Sequence, residues 1–468
     1  MKHLLSKDFF INLNKLGSSK FYFIGILGSG MSALAGFLRL KGARAEGSDR
    51  NYSTFQKNET ALYLESIGCV IHNQNESHIT PVADYAVVST AIEPDNPDVK
   101  KSIEYNIPII HRADLLAYLV NNNAGVAIAG TSGKSTTAGI TGFLLKKCGL
   151  PVNIITGAAI KNIEENKEPL NCIAGDSGIF VVETDESDGS IVKFKPAVSA
   201  LTNISKDHKT IEELLPLFQE FINNTKEKVF INKDDKLSMR LNFKNINAVF
   251  IGSNDKCDYA ISDLKESKDG TEFKLNGKSF EINIPGIYNV YNSAFAIAVA
   301  EHFGIQYDKI REALKKFEGV ADRFDFVRKQ NPLIAFDYAH NPAKINSLLQ
   351  FVIKFYGKTL FIYQPHGFQP TFFLKNELSA VFENYFIGGN KIILKPIFYA
   401  GGSADKKISS EEIVKELKSK EINAEFAPDD SFIIDYISHN KNLFDAIIIA
   451  GARDKNLKSL CEKINSLF

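Results

Sequence analysis

The segment from Val126 to Thr137 constrains the fold of this chain most strongly, because an apolar run breaks there into a glycine turn that leads into a helix-like stretch. Backbone N–H groups of such a turn can surround phosphate oxygens, a lysine can reach the terminal phosphates, and a hydroxyl can ligate Mg2+. The sequence predicts a strand, a phosphate-binding loop and a helix, with Lys134 exposed at a cleft. A glycine turn beside a surface lysine is the alternative interpretation. The candidate phosphate-binding residues of this loop are Gly130, Thr131, Ser132, Gly133, Lys134, Ser135 and Thr136.

The loop departs from the general phosphate-loop pattern at one position. That pattern has a glycine five residues before its second glycine, and this chain has Ile128 there. The segment is therefore a shortened form, Gly-Thr-x-Gly-Lys-Ser.

Length and charge limit the classes of function. A chain of 468 residues is too long for one ordinary core and predicts about two to four domains. Lysine plus arginine equal aspartate plus glutamate, 55 against 55, which gives no overall charge for binding nucleic acid or an anionic membrane. The five cysteines are widely spaced, and no apolar run approaches the roughly 18 residues that span a bilayer. We expect a soluble cytoplasmic protein with no nucleic-acid or membrane partner.

A second glycine-rich turn follows the first apolar strand, Phe21 to Gly25. The pattern Gly28-x-Gly30-x-x-Ala33, followed by another strand, is typical of a dinucleotide-binding unit that places a diphosphate at a helix N-terminus. The pattern alone does not distinguish NAD from a nucleotide sugar, and a turn without a ligand is a further alternative. The candidate residues are Gly28, Ser29, Gly30, Met31, Ser32 and Asp49, with Ser89, Thr90 and Ala91 at the end of a later strand.

Carboxylates and a histidine follow two buried-type strands after the phosphate loop. Glu183 is the first acid after the strand that begins at Gly178, and Asp185, Glu186 and Asp188 come next. A strand that delivers a carboxylate to a phosphate site is suited to hold Mg2+, a cation that prefers oxygen ligands. A solvated acidic loop is the alternative. His208 ends the next strand segment and is either a ligand or a structural histidine.

The rest of the chain alternates strand and helix signals. Asn289 and Asn292 share one face of a predicted helix and are candidates to contact a base or to cap the helix. Between 242 and 284 short apolar runs and turns predict a small antiparallel excursion. Beyond residue 308 strands and helices alternate, so the fold class is α/β with mainly parallel sheets. The polar strand ends there carry Asp337, His340, His366 and the pair Arg453-Asp454.

The order of these motifs resembles the Mur ligase family over essentially the whole chain. The phosphate loop, the acidic strand end at Glu183, the Asn-x-x-x-Asp-His element ending at His208 and the Asn-x-x-Asn pair all match the family in sequence order. Arg323-Phe and Asp337-Tyr-Ala-His-Asn-Pro are similar to nucleotide-binding elements of the third domain of the family. The N-terminal glycine-rich segment resembles the branch that joins L-alanine to UDP-N-acetylmuramate and its relative that recycles murein tripeptide.

The resemblance implies three domains: a UDP-binding Rossmann-like domain at 1–120, a central ATPase domain at 121–310 and a C-terminal Rossmann-like domain at 311–468. It implies an ATP- and Mg2+-dependent ligase, active as a monomer or homodimer, that phosphorylates the carboxylate of a UDP-N-acetylmuramate-type substrate and joins it to an amino acid or short peptide. Carried over by position, Lys134 would neutralise the phosphoryl group. Ser135, Glu183 and His208 would organise Mg2+, with Glu183 and His208 also catalytic. Asn289 and Asn292 would lie at adenine, Arg323 at the ATP phosphates and Asp337 at the ribose.

The acceptor region departs from that branch. His340 and His366 would lie there, but Gly367 and Pro370 stand where the L-alanine-adding branch has arginines, so the charge that could bind a carboxylate is missing. Arg453-Asp454 is one replacement to consider, with a surface ion pair as the alternative. The amine is therefore left open.

Two other classes of function remain as alternatives. An NAD-dependent oxidoreductase would use the N-terminal glycine turn but would leave the loop at Lys134 without a role. A non-catalytic, nucleotide-regulated binding protein of the same family would keep the ATP contacts and lack the acceptor chemistry.

Overall fold

The computed structural model describes residues 5, 13–55, 58–164, 170–386, 388–399, 408–452, 454 and 456–468. Its first sheet has five parallel strands in the order β3-β2-β1-β4-β5. Helix α1 begins at the glycine turn after β1 and is buried over residues 31–38. The elements are β1 (Lys20–Ile24), α1 (Ser29–Leu40), β2 (Arg44–Asp49), α2 (Glu59–Ser66), β3 (Val70–Asn73), β4 (Tyr85–Val88), α3 (Pro97–Glu104), β5 (Ile109–His111) and α4 (Arg112–Asn121).

The central sheet has ten strands in the order β15-β14-β13-β12-β11-β10-β6-β9-β7-β8. Helix α7, buried throughout residues 292–300, packs along α5. The elements are β6 (Ala124–Ala129), α5 (Lys134–Lys147), β7 (Asn153–Ile160), β8 (Leu170–Ile173), β9 (Ile179–Glu183), β10 (Val198–Leu201), α6 (Ile211–Asn223), β11 (Lys228–Asn232), β12 (Ala248–Gly252), β13 (Tyr259–Glu266), β14 (Thr271–Leu275), β15 (Lys278–Ile282), α7 (Ile287–His302) and α8 (Tyr307–Leu314).

The third sheet has six strands in the order β16-β17-β21-β18-β19-β20, and only β16 pairs antiparallel within the part of the chain that is described. The elements are β16 (Asp325–Arg328), β17 (Leu333–Asp337), α9 (Pro342–Tyr356), β18 (Thr359–Gln364), α10 (Phe368–Phe373), α11 (Lys375–Tyr385), β19 (Lys391–Leu394), α12 (Ser410–Ser419), β20 (Ala424–Phe426), α13 (Asp430–His439), β21 (Ala446–Gly451) and α14 (Asn456–Asn465).

The α/β prediction with mainly parallel sheets is confirmed, and one detail of it is wrong. The antiparallel excursion begins only at β13, because β12 pairs parallel with both of its neighbours and extends the main sheet. The apolar residues of β12 therefore continue the parallel core. The boundaries at 120 and 310 stay predictions.

Strand order brings the motif-bearing strand ends together. Strand β6 lies between β9 and β10 and is parallel to both. Because carboxyl ends of parallel strands meet at one edge of a sheet, the phosphate loop, Glu183 and the segment ending at His208 share that edge. None of the described helices is both long and apolar enough to cross a bilayer.

Candidate functional site

The phosphate loop contains two glycines with left-handed backbone conformations. Gly130 has φ +128° and Gly133 has φ +82°. A Cβ atom on Gly130 would lie 2.2 Å from Thr202 Oγ1, so this position admits no side chain. Ile128, where the general pattern has a glycine, is fully buried inside β6. The turn begins two residues later, which is why no glycine is needed at 128.

Replacing Gly130 with alanine should distort the backbone of the phosphate loop and weaken ATP binding. The clash with Thr202 and the strained φ together cost about 3 kcal/mol, equivalent to about a hundredfold in ATP affinity. Calorimetric titration with a nonhydrolysable ATP analogue measures this loss. Gly149→Ala is the matched control, because Gly149 also has a positive φ but has no atom within 4 Å of its Cβ position. Equal affinity in Gly130→Ala and wild type would contradict the prediction.

Asn203, at the end of β10, holds the phosphate loop in place. Its Oδ1 accepts hydrogen bonds from Thr131 Oγ1 at 2.9 Å and from the backbone N–H of Ser132 at 3.0 Å. Its Nδ2 donates to the carbonyl oxygen of Ser132 at 2.9 Å. The Ser132 hydroxyl is buried without a hydrogen-bond partner. A loop with fixed backbone and an unpaired hydroxyl is suited to receive a polar ligand.

Lys134, expected to be exposed, is instead largely enclosed, with only 13% of its side chain exposed. Its Nζ donates to Glu186 Oε2 and to the carbonyl oxygen of Gly130, both at 2.6 Å. Burial alone would lower the pKa of Lys134, but Glu186, Asp185 and Glu183 outweigh it and raise that pKa. The lysine is therefore held charged against the loop by an acid to which sequence reasoning gave no role.

The carboxylates after β9 have separate roles. Glu183 Oε2 accepts from the backbone N–H of Gly157 at 3.0 Å. Asp185 and Asp188 each accept from an N–H two residues ahead, at 2.9 Å, as expected of acids in a loop. Burial raises the pKa of Glu186, with Lys134 opposing it. Burial would also raise the pKa of Asp185, but Lys134, the hydrogen bonds from Ser187 and Arg112 together lower it. The alternative interpretation, a solvated acidic loop, therefore describes this segment only in part, because Glu186 is buried.

Three histidines from two sheets meet beside one buried aspartate. Ring centroids of His208 lie 6.3 Å from those of His340 and His366, which are 5.4 Å apart from each other. Asp207 Oδ2 accepts from Asn341 Nδ2 at 2.7 Å, and its Oδ1 is buried without a hydrogen bond. One ligand atom from each of Asp207, His208 and His340 lies within 4.8 Å of the others, a spacing that could hold a metal ion. Burial, Lys344 and His366 lower the pKa of His340, which keeps it neutral.

Lys344 is a further cation at this cluster. It lies in the first turn of α9, with Nζ 3.8 Å from Asp207 Oδ2. Burial lowers its pKa to about 8, with Lys134 and Arg323 adding to the shift and Asp207 opposing it. Three cations therefore act on one region: Lys134 from the phosphate loop, and Arg323 and Lys344 from two segments of the third sheet.

Arg323 connects the third sheet to the phosphate loop. Its Nη2 lies 3.4 Å from Ser135 Oγ and its guanidinium lies 4.8 Å from the ring centroid of Tyr338. Asp337 Oδ2 accepts from the backbone N–H of Phe324 at 2.7 Å. That bond orders the arginine loop, in addition to any contact with a ribose.

Asp337 should make stability depend on pH. Burial raises its pKa to about 6, although Arg323 and two backbone N–H groups oppose the shift. The unfolded carboxyl has a pKa of about 3.9, so the stabilisation by this group is complete below about pH 4 and is lost as pH rises through about 6. The difference in urea midpoint between wild type and Asp337→Asn, followed by circular dichroism, should fall over that window. Parallel pH profiles for the two proteins would contradict the assignment.

Asn289 and Asn292 are both buried near the start of α7, and Asn292 lies against the phosphate loop at Gly133. Asn292 Nδ2 donates to Asn289 Oδ1 at 3.0 Å, and Asn292 Oδ1 accepts from Thr137 Oγ1 at 3.0 Å. Asn289 Nδ2 donates to the carbonyl oxygen of Pro285 at 2.6 Å. The pair therefore orients α7 against α5, and this contact places Asn292 next to Gly133.

The N-terminal glycine turn begins α1 as predicted. Asp49 is buried, and its oxygens accept from the backbone N–H groups of Leu27 and Asn51, each at 2.9 Å. It holds the turn in place. Gly28 is the N-cap of α1, and the helix starts with Ser29, Gly30, Met31 and Ser32. At the end of β4, Ser89 is half-buried and Thr90 and Ala91 are exposed.

Arg112 links this turn to the central site. A Cβ atom on Gly30 would lie 2.7 Å from Arg112 Nη1, and Arg112 Nη2 lies 3.8 Å from Asp185 Oδ2. Sequence reasoning missed Arg112, although it directly follows strand β5, and strand ends are where ligands of parallel sheets bind. Of the pair considered as a carboxylate binder, Arg453 lies outside the described residues, and Asp454 accepts from the N–H of Asn456 at 2.9 Å near the start of α14.

Comparisons with known proteins agree with these observations. Residues 20–124 match the family described as "Mur ligase family, catalytic domain", and residues 128–300 match the "Mur ligase middle domain". A UDP-N-acetylmuramate--L-alanine ligase from Carboxydothermus hydrogenoformans is 31% identical over 450 residues, which cover 93% of this chain and 94% of that protein.

Solved structures share the fold. A UDP-N-acetylmuramate-alanine ligase from Thermotoga maritima superposes with a TM-score of 0.75 at 24% identity, covering 96% of this chain and 99% of that one. A murein peptide ligase from Psychrobacter arcticus superposes with a TM-score of 0.71 at 18% identity, covering 96% and 98%. The three-domain α/β architecture is therefore the one seen in these structures.

Proposed function

The chain belongs to the Mur ligase family, whose members use ATP, and from this premise we propose that it joins a UDP-N-acetylmuramate-type carboxylate to the amine of L-alanine, a related amino acid or a short peptide. The reaction would serve peptidoglycan synthesis or recycling. The observation that carries the proposal is that Lys134 and Arg323 act on Lys344 beside the three histidines, where the central and third sheets meet.

ATP would bind at the phosphate loop. The ordered backbone of residues 130–133 and the start of α5 would receive the β- and γ-phosphates, with Lys134 and Arg323 beside the γ-phosphate. Asn292 and Asn289 would lie at the adenine and Asp337 at the ribose. The unpaired hydroxyl of Ser132 supports a ligand in this loop.

The donor atoms at the phosphate loop fit Mg2+. The Ser135 hydroxyl lies in the first turn of α5, and Glu183 ends the neighbouring strand and acts electrostatically on Lys134. These are oxygen donors of the kind that Mg2+ prefers. We propose Ser135 and Glu183 as ligands, with His208 contributing from the histidine cluster. The ion would neutralise charge on the phosphates.

The side chains would act by charge and position. Transfer of the γ-phosphoryl group to the muramate carboxylate breaks the bond to ADP and forms an acyl phosphate. The amine then attacks the carbonyl carbon, a proton leaves the nitrogen and phosphate departs. Lys134 and Arg323 would stabilise the charge on the transferring group. His340, kept neutral by burial, would be able to accept the amine proton.

The UDP moiety would bind at the N-terminal turn. The segment Gly28 to Ser32 would receive its diphosphate at the N-terminus of α1, with Ser89 to Ala91 at the neighbouring strand end. Arg112 lies between this turn and Asp185, so it is placed to meet negative charge on the part of the substrate that enters the cleft.

Phosphate release tests the proposal. The assay combines UDP-N-acetylmuramate, ATP and Mg2+ with a panel of L-alanine, other amino acids and short peptides, and mass spectrometry identifies the amide. Release that requires both UDP-N-acetylmuramate and an amine supports the ligase. Folded protein that releases no phosphate with any amine would refute it and leave the non-catalytic alternative. Binding of NAD in preference to UDP sugars would instead favour the oxidoreductase.

A further inference from the structure

We propose that Lys344 binds the carboxylate of the acceptor amino acid and so selects an acceptor with a free carboxylate over a neutral one. This inference rests on the proposed ligase function. Its starting point is the absence of a cation after His366, where the chain reads Gly-Phe-Gln-Pro. An acceptor that enters next to the histidines therefore needs its charge balanced from another segment.

The position of Lys344 meets that need. Asn341 caps α9 by accepting from the backbone N–H of Lys344 at 3.0 Å, which fixes the lysine in the first helical turn. The same asparagine donates to Asp207, next to His208 and His340. Lys344 thus stands at the histidine cluster on the third-sheet side, and 28% of its side chain is exposed.

Lys344 also has unused hydrogen-bonding capacity. Lys134 is bonded to Glu186 at 2.6 Å, and Lys206 is bonded to Glu377 at 2.6 Å and to the carbonyl oxygen of Phe373 at 3.0 Å. Within the described ranges, the Nζ of Lys344 makes no hydrogen bond. Its carboxylate neighbour, Asp207, lies 3.8 Å away. The three N–H donors of the Lys344 ammonium group are therefore available to an incoming anion.

The surrounding charges favour an anion here, and the geometry favours a carboxylate over the transferred phosphate. Lys134 and Arg323 both act electrostatically on Lys344, so a negative group between them and the helix would relieve repulsion. Those two cations flank Ser135 and the phosphate loop, where the phosphates would lie. Lys344 instead lies beside Asp207, which also neighbours His208 and His340. In an amino acid, one carbon separates the amine from the carboxylate, so an amine near His340 brings the carboxylate within reach of Lys344.

The test compares an acceptor with its own carboxamide. We would measure kcat/KM for L-alanine and L-alaninamide, or for the best acceptor of the panel and its amide, at saturating ATP and UDP-N-acetylmuramate. Lys344→Met keeps the aliphatic length of the side chain and removes its charge. We expect kcat/KM for the amino acid to fall about ten- to a hundredfold through KM, with the amide changed by no more than about twofold.

Lys375→Ala is the matched control. Lys375 lies in the same domain, is exposed to a similar extent and is paired with Glu416 at 2.7 Å. It should leave the preference for the amino acid unchanged. An unchanged preference in Lys344→Met would overturn the inference, as would an equal loss for acid and amide with a raised KM for ATP, which would place Lys344 at the phosphate. Failure of the proposed function itself is distinct, because the wild type would then release no phosphate with any amine.

Discussion

Lys134→Ala is expected to lower kcat for phosphate release by about a hundred- to a thousandfold, the usual cost of removing a group that stabilises transition-state charge. The structure adds a second effect, because Lys134 neutralises Glu186, of which only 4% is exposed. Breaking a buried ion pair by removing one partner costs about 3 kcal/mol or more. The single variant should therefore be both inactive and less stable.

A double variant separates these two effects. Lys134→Ala combined with Glu186→Gln removes the unpaired buried charge, so we expect the urea midpoint to recover while turnover stays low. Lys391→Ala is the control: its Nζ contacts Glu425 at 2.6 Å and it is buried to the same degree, but it lies on the third sheet at β19. It should lose stability and keep its turnover. Unchanged kcat in Lys134→Ala would remove the loop from the mechanism.

Asp207→Ala is expected to reduce turnover by about a hundredfold or more and to loosen the contact between the central and third sheets. Asp207 accepts the hydrogen bond of Asn341 and lies within 4 Å of His208, His340 and Lys344. Removing it leaves the buried amide unpaired and Lys344 without its neighbouring carboxylate. Losing such a buried contact costs about 3 kcal/mol of free energy. Because the geometry of the site depends on this contact, the same free energy added to the activation barrier lowers the rate by about a hundredfold.

Two measurements report on Asp207→Ala. Steady-state phosphate release gives the rate, and small-angle X-ray scattering gives the radius of gyration, which should increase if the third sheet separates from the central one. Asp435→Ala is the control, because Asp435 also faces a histidine, His439, at 3.5 Å but on an exposed surface. It should change neither quantity. A compact and fully active Asp207→Ala would show that the two sheets are held together by other contacts.

The sequence was sufficient for the fold class and the family, because both depend on local signals. Buried strands read as apolar runs, and the glycine turns after β1 and β6 need residues without a Cβ. The prediction that Lys134 is exposed was wrong, because its exposure depends on the carboxylate of Glu186, 52 residues away in the sequence. The ligand roles of the site residues stay predictions, and the assays above test them.

The residue types that can handle phosphate, a hard cation and an amine are determined by the sequence itself, as is their place at the ends of strands. Which of these side chains meet was decided only by the tertiary structure. Strand order puts β6 between β9 and β10, and the docking of the third sheet brings Arg323 to Ser135 and Asn341 to Asp207. Lys344 had no sequence signal of its own, because its role depends on charges that approach it from other sheets. Periodicity and spacing report on neighbours within a few residues, whereas electrostatic contacts depend on distances that exist only once the sheets have packed.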